Sequence, residues 1–434
     1  MTRTRPAGLA AVLVSSGAVL SVCVICWSLQ GDQTSRVAGH LLLYGAAFTA
    51  YLAALAASQG ISRRGLHAAL GLALVWRLVL VPVSPLLSDD VNRYVWEGRI
   101  QLHGGNPYRW MDRPEVEKWA PLRDGVWEGV SHKFYTAIYP PGWQLAARGV
   151  VAVHDSVLAM RAFLTVCEVA TLGLLAAVLR RRGLPAERLL VLAWSPLALV
   201  EIAGTGHNES FGFLFMVAAV LALDAGRPFL SALAMTLAFQ AKLVPGLVAL
   251  AWVRRYRAWH IAGGGLLAAL LVVPYLGERA GLYRSLEKYG AFWLFNETAF
   301  DGLAALLGSH SSAVLASSFL VAAVGALLAW RRTEPVAAAL AVLTAWLLLT
   351  PNVLPWYALW LLPLLVVRDA PPLLLFTGTV QLAYLVYPAW SSGEPWQVGW
   401  GIRALEYSPC VVVGLLWWAR ARRTGTVMAV PRSG

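Results

Sequence analysis

PFLSALAMTLAFQAKLVPGLVALAWV, Pro228 to Val253, has the length of one membrane-spanning helix, yet its flanks forbid a simple crossing. Arg227 precedes it, and Arg254, Arg255 and Arg257 follow it. Basic residues beside apolar spans favour the cytoplasmic side, so both ends of the stretch belong on one face. A hairpin resolves the conflict. Its turn falls at QAKLVPG, where Pro245 has no amide hydrogen with which to continue a regular helix. Lys242 sits at that turn. An ammonium at the centre of a span costs at least ~2.5 kcal/mol, so Lys242 is expected to snorkel, to pair with an internal carboxylate, or to meet an anionic ligand entering at membrane depth.

Outward from the hairpin, the whole chain reads as membrane. Of its 434 residues 58% are hydrophobic and only 13% charged, and the mean hydropathy is +0.61. That composition describes a polytopic integral membrane protein. With ~20 apolar residues per crossing, spans are predicted at 7–29, 38–58, 66–87, 156–179, 187–204 and 210–224. Further spans follow at 259–276, 313–330, 335–352, 354–367, 371–387 and 408–420. With the hairpin, about 12–14 transmembrane or partly spanning helices form one all-α domain, 1–434. The net charge of +12 does not point to nucleic acid, because the basic residues cluster at span ends rather than along one face. Arg63 and Arg64, Arg180 to Arg182, Arg331 and Arg332, and Arg420, Arg422 and Arg423 all read as cytoplasmic. Both termini then lie inside. The loops 88–155, 277–312 and 388–408 face the other side. Arg3 and Arg5 before the run 7–29 read as a signal anchor. Cys23, Cys26, Cys167 and Cys410 lie in apolar stretches and read as small core residues rather than metal or redox groups.

Function must reside in the few polar clusters that remain. The densest is SDDVNRYVWEGRIQLHGGNPY, Ser88 to Tyr108. Ser88 is a candidate N-cap; Val91, Tyr94 and Val95 recur at helical spacing, while Asp90, Arg93 and Glu97 share the other face. This predicts a short amphipathic helix lying at the interface. Asp89 and Asp90 fall in its first turn, where the helix dipole favours ionisation; two neighbouring, partly desolvated carboxylates push one pKa back up, toward the range of a general base. HGGNPY reads as a turn. In IYPPGWQ, Tyr139 and Trp143 suit the interfacial aromatic belt. GTGHNES offers His207, Asn208 and Glu209, with Glu201 just before, as donors and acceptors for several hydroxyls. A metal site there has little support, since no HxxxH or HExxH spacing occurs. PNVLPWYALW sets Trp356 and Tyr357 at the outer boundary.

SDDVNRYVWEG, GGNPY, YPPGWQ, AWSPLALVEIAGTGHNES, KLVPG and the late PWY, taken in order between about Leu66 and Leu365, resemble bacterial GT-C glycosyltransferases that use polyprenyl-phosphate-linked sugars. They look most like the polyprenol-phosphomannose-dependent alpha-1,6-mannosyltransferases. The resemblance implies a GT-C-type fold in the bacterial plasma membrane, with a lipid-borne hexose donor, mannose by that resemblance, and a glycan or glycolipid acceptor at a site facing the periplasm. It also implies an aspartate base in the first long outer loop, matched here by Asp89 and Asp90, with Asp89 preferred. Physical logic adds Lys242 and Arg93 for the leaving phosphate, and Tyr94, Glu97, Tyr139, His207, Asn208, Glu209, Trp356 and Tyr357 for the sugars. Inversion without a metal or other cofactor is the expectation. Three departures stand out: the acid follows the third span rather than the first, HND is HNE, and Ser195 replaces the asparagine of AWNP. A lipid-linked oligosaccharide flippase or transporter is the alternative reading.

Overall fold

The computed structural model of the protein describes residues 7–109, 117–133, 135–278, 284–285, 287–288 and 293–423. Arg3 and Arg5 lie outside them. The protein is an all-α polytopic membrane protein: among the described residues regular structure is helical, apart from an isolated bridge between Phe295 and Asn352. Among the described residues six helices are long and apolar enough to cross a bilayer, or seven if one bent pair counts as a span, and three shorter apolar helices accompany them. Two paired helices, α1 (Ala7–Gln30) and α2 (Val37–Ala57), lead into α3 (Arg63–Leu80). The apolar pattern of this third segment runs on to Leu87, but its helix stops at Leu80 because Pro82 and Pro85 cannot continue it. The loop helices α4 (Asp90–Leu102) and α5 (Pro141–Val153) pack on each other and on α6 (Val157–Arg182).

The segment expected as a plain span over 187–204 is broken. Its halves, Ala186–Ala193 and Pro196–Thr205, bend by 46°. Pro196 lacks the amide that would bond back across the bend, Ser195 Oγ accepts from the Ala198 amide at 3.4 Å instead, and Leu199–Thr205 winds as a π-helix. Arg161, buried in α6, donates to the carbonyls of Leu80 at 2.9 Å, Ala203 at 2.5 Å and Gly204 at 2.7 Å, and to that of Val83. It thereby fastens the end of α3 to the π-helix through their carbonyls.

Beyond α7 (Glu209–Asp224), the hairpin is realised as α8 (Pro228–Ala241) and α9 (Val244–Trp252). Lys242 between them is extended, with φ −157° and ψ 149°. Arg182 binds Asp224 at 2.7 Å and Glu334 at 2.8 Å, and Arg255 donates to the Thr333 carbonyl at 2.7 Å. The start of α8 and the end of α9 therefore meet at one end of the molecule, as their arginine flanks require. Gly60 bonded to Glu187 at 2.9 Å and Arg188 bonded to Asp369 at 2.8 Å close the same end. Further helices are α10 (Ala258–Val272), α11 (His310–Trp330), α12 (Pro335–Leu349), the short α13 (Leu362–Val367) and α14 (Pro371–Thr379), and α15 (Trp400–Arg423).

Candidate active site

At the end opposite the arginines, α4 carries the two acids into the protein rather than onto a bilayer surface. From Val91 to Gln101 every residue except Asn92 is buried. The amphipathic pattern marks a polar interior, which corrects the interfacial helix expected from sequence. Gly98 is the reason α4 can lie so deep: a Cβ there would stand 2.8 Å from the Ala147 carbonyl oxygen of α5. The helix also begins one residue later than expected, with Asp89 as N-cap, while Ser88 Oγ accepts from the Asp90 amide at 3.3 Å.

The two aspartates separate in role. Asp89 faces outward, where Ser131 hydrogen-bonds it and His132 and Arg93 add positive charge, although burial still leaves its carboxyl above the usual range. Asp90 turns inward, its side chain 28% exposed. Burial, reinforced by the charge of Asp89, pushes its carboxyl up to about 6 against the opposing pull of Arg93 and Lys242. Its Oδ2 lies 3.8 Å from His207 Nδ1, and His207 Nε2 lies 3.4 Å from Glu201 Oε2. The imidazole is stacked on Trp356, centroids 3.9 Å apart. Gly206 delivers His207 to this place by a left-handed turn, φ 99°, that a side chain would strain and that leaves no room: a Cβ there would meet Arg161 at 2.9 Å.

Lys242 pairs with the fully buried Glu209, so the internal-carboxylate outcome is the one realised. Its ammonium also stands over two phenol rings, Tyr357 at 5.0 Å and Tyr139 at 5.6 Å. Tyr139 shares a 3.2 Å hydroxyl contact with Tyr94. Next to these groups the amide of Asn208, Ser210 Oγ and Glu209 Oε2 are buried with no hydrogen-bond partner among the described residues. Tyr139, Trp143, Trp356 and Tyr357 are all buried; they wall the site and core, which corrects their expected placement in an interfacial belt.

Arg93 and Glu97 stand behind this cluster. Arg93 donates to the carbonyls of Ser131 at 2.6 Å, His132 at 2.9 Å and Tyr135 at 2.9 Å, and lies 3.5 Å from Glu97. Glu97 accepts from Gln144 Nε2 at 2.7 Å, and burial pushes its carboxyl up to about 7. The pair ties the 131–135 segment and α5 to α4. Sequence reasoning singled out Glu201 but missed its partners. Glu201 accepts from Gln381 Nε2 at 2.5 Å and from the Tyr384 hydroxyl at 3.0 Å, and Gln381 Oε1 contacts His40 at 3.1 Å. A lone Gln and Tyr in an apolar run were the available signal. Among the described residues no group of three or more His, Cys, Asp or Glu side chains could hold a metal ion.

The chain matches the family model described as "Alpha-(1->6)-mannopyranosyltransferase, N-terminal domain" over residues 7–260, more than half its length. No curated protein and no solved structure matches it.

Proposed function

The chain belongs to the alpha-(1→6)-mannopyranosyltransferase family and is a glycosyltransferase, and on that premise we propose that it moves mannose from a polyprenyl-phosphate donor to a hydroxyl of a glycan or glycolipid acceptor. The observation that carries this reading is the convergence of Asp90, His207, Glu209 and Lys242 inside a wall of aromatic rings. Transfer needs a base for the acceptor hydroxyl and positive charge at the leaving phosphate. Asp90 takes the hydroxyl proton as the acceptor oxygen bonds to C1 of mannose. The bond from C1 to the phosphate oxygen breaks, and its electron pair leaves with the polyprenyl phosphate. One displacement gives inversion.

Lys242 meets the phosphate, exchanging the Glu209 carboxylate for the ligand. Tyr139 and Tyr357 hold the ammonium through their ring faces. Asn208 and Ser210 supply hydrogen bonds for sugar hydroxyls, since buried polar groups of native proteins find partners. Asp90 is favoured over Asp89 because it turns toward this group, whereas Asp89 turns toward Ser131. Arg93 acts by fixing the loop over α4. The site is assigned to the outer face of the membrane, the arginine-rich end to the cytoplasm.

The test is transfer of radiolabelled mannose from polyprenyl-phosphate mannose to an alpha-1,6-linked mannan oligosaccharide by the purified protein in nanodiscs. Asp90→Asn is expected to lower kcat by roughly 10²–10⁴-fold, and Asp89→Asn to cost far less. Lys242→Met should weaken donor binding most. Wild-type turnover by Asp90→Asn overturns the reading. Turnover should survive EDTA, because Lys242 takes the place of a metal at the phosphate; loss on chelation with recovery on adding a divalent ion would refute that part.

A further inference from the structure

Behind Asp90 stands a group that the transfer scheme above does not use. Glu201, from the π-helix at the bend, is fully buried and lies 3.4 Å from His207 Nε2. Its carboxylate accepts from the Gln381 amide at 2.5 Å and the Tyr384 hydroxyl at 3.0 Å. The orientation of Gln381 is fixed from its far side, where its Oε1 meets His40 Nε2 at 3.1 Å. Glu201 is thus built as an acceptor, and His207 Nε2, buried without a hydrogen-bond partner among the described residues, stands 3.4 Å from it as the next available donor. Burial, with the Lys242 ammonium nearby, holds His207 well below its ordinary pKa, so the ring is neutral and carries one N–H and one lone pair. The groups facing it are Asp90 from α4, Glu201 from the π-helix and Lys242 with its partner Glu209; the ring of Trp356 covers one face.

We propose that Glu201 is a positioning residue for mannosyl transfer: it holds His207 as the Nε2–H tautomer, so that the lone pair of Nδ1 faces Asp90 and steadies the proton that Asp90 takes from the acceptor. This rests on the reading of Asp90 as the base. A neutral imidazole is oriented by whatever its second nitrogen bonds. With Nδ1 unprotonated, the carboxylate of Asp90 gains nothing from it, whereas the carboxylic acid formed during transfer donates its O–H to it. The 3.8 Å between Asp90 Oδ2 and Nδ1 is a separation of the kind that closes when substrate binds. Glu201 therefore strengthens the base. The proton stays on Asp90 and returns to water after the product leaves.

Glu201→Gln sets an amide N–H against Nε2 and drives the ring to the other tautomer, whose Nδ1–H stabilises the Asp90 carboxylate. The variant is expected to lower kcat by about 10–100-fold, to move the acid limb of the kcat–pH profile to lower pH, and to leave the KM for polyprenyl-phosphate mannose within about twofold. Glu201→Asp should recover part of kcat, and Glu201→Gln added to Asp90→Asn should cost nothing further. Wild-type kcat and an unmoved limb in Glu201→Gln, with Asp90→Asn inactive, would overturn the positioning role and leave the base intact. An active Asp90→Asn would instead remove the base itself. Should Glu201→Gln fail to fold, the wild-type protein decides: nitrogen NMR of isotope-labelled histidine, with His207 assigned by difference from His207→Gln, must show the Nε2–H form, and an Nδ1–H form refutes the proposal.

Discussion

As the proposed base, Asp90 acts only while ionised, and burial with the charge of Asp89 behind it pushes its carboxyl up to about 6. The expected kcat/KM profile rises about tenfold per pH unit below that value and levels above it; a profile flat down to pH 5 would point to another base. The same shift has a stability consequence. A folded-state pKa above the unfolded value of about 3.9 means that ionisation opposes folding: the cost is absent below about pH 4, grows to about pH 6, and is complete above it. Asp90→Asn is therefore expected to unfold at a higher temperature than the parent at pH 8 and at the same temperature at pH 4, measured by thermal melts in detergent. The acids, the HNE turn and Lys242 were legible in the sequence because charge is rare in an apolar chain and must be explained. The split between Asp89 and Asp90 was not, since it depends on which way two adjacent side chains leave the first turn of α4. Gln381 and Tyr384 were hidden for another reason: their partner Glu201 is distant in sequence, and neither is charged.

At the level of helices, apolar periodicity located the spans but not their interruptions. The break at Lys242 could be anticipated because arginines at both flanks contradicted a single crossing. The bend at Pro196 had no such contradiction around it, so hydropathy alone read it as straight. Buried ion pairs were equally invisible as pairs. Arg77 of α3 and Glu168 of α6 sit in separate apolar runs, and only the packed structure joins them through two hydrogen bonds, Nε to Oε2 at 2.8 Å and Nη2 to Oε1. Both side chains are shut from solvent. Removing one partner leaves an uncompensated charge among helices, so Arg77→Met is expected to destabilise by about 3–5 kcal/mol. The double variant Arg77→Met with Glu168→Leu should recover most of that loss, because two charges no longer have to be desolvated. Unfolding in mixed micelles measures both, and equal losses in the single and double variants would show that the pair is not the source.

For the whole molecule, the two ends differ in the length of the loops that their ion pairs join, and that difference sets the topology to be tested. One end is stitched by arginines: Arg182 to Asp224 and Glu334, Arg188 to Asp369, Arg255 to the Thr333 carbonyl. The other is closed by the long loops. Arg403 pairs with Glu297 and Asp301, the Phe295 amide bonds the Pro351 carbonyl at 3.0 Å, and the Tyr275 hydroxyl bonds Gln101 at 2.7 Å. Because arginine-rich short loops stay in the cytoplasm, the proposed topology puts the end with Asp90 and Lys242 outside, where the proposed lipid-borne donor and a large acceptor can both reach it. Lys118 and Arg332 are exposed at opposite ends. In intact cells a membrane-impermeant maleimide should label Lys118→Cys and not Arg332→Cys, and permeabilisation should expose the second. The parent is the background control, because Cys23 and Cys167 are buried and Cys26 and Cys410 partly so. The reverse pattern would put the acids in the cytoplasm and require a donor presented from that side.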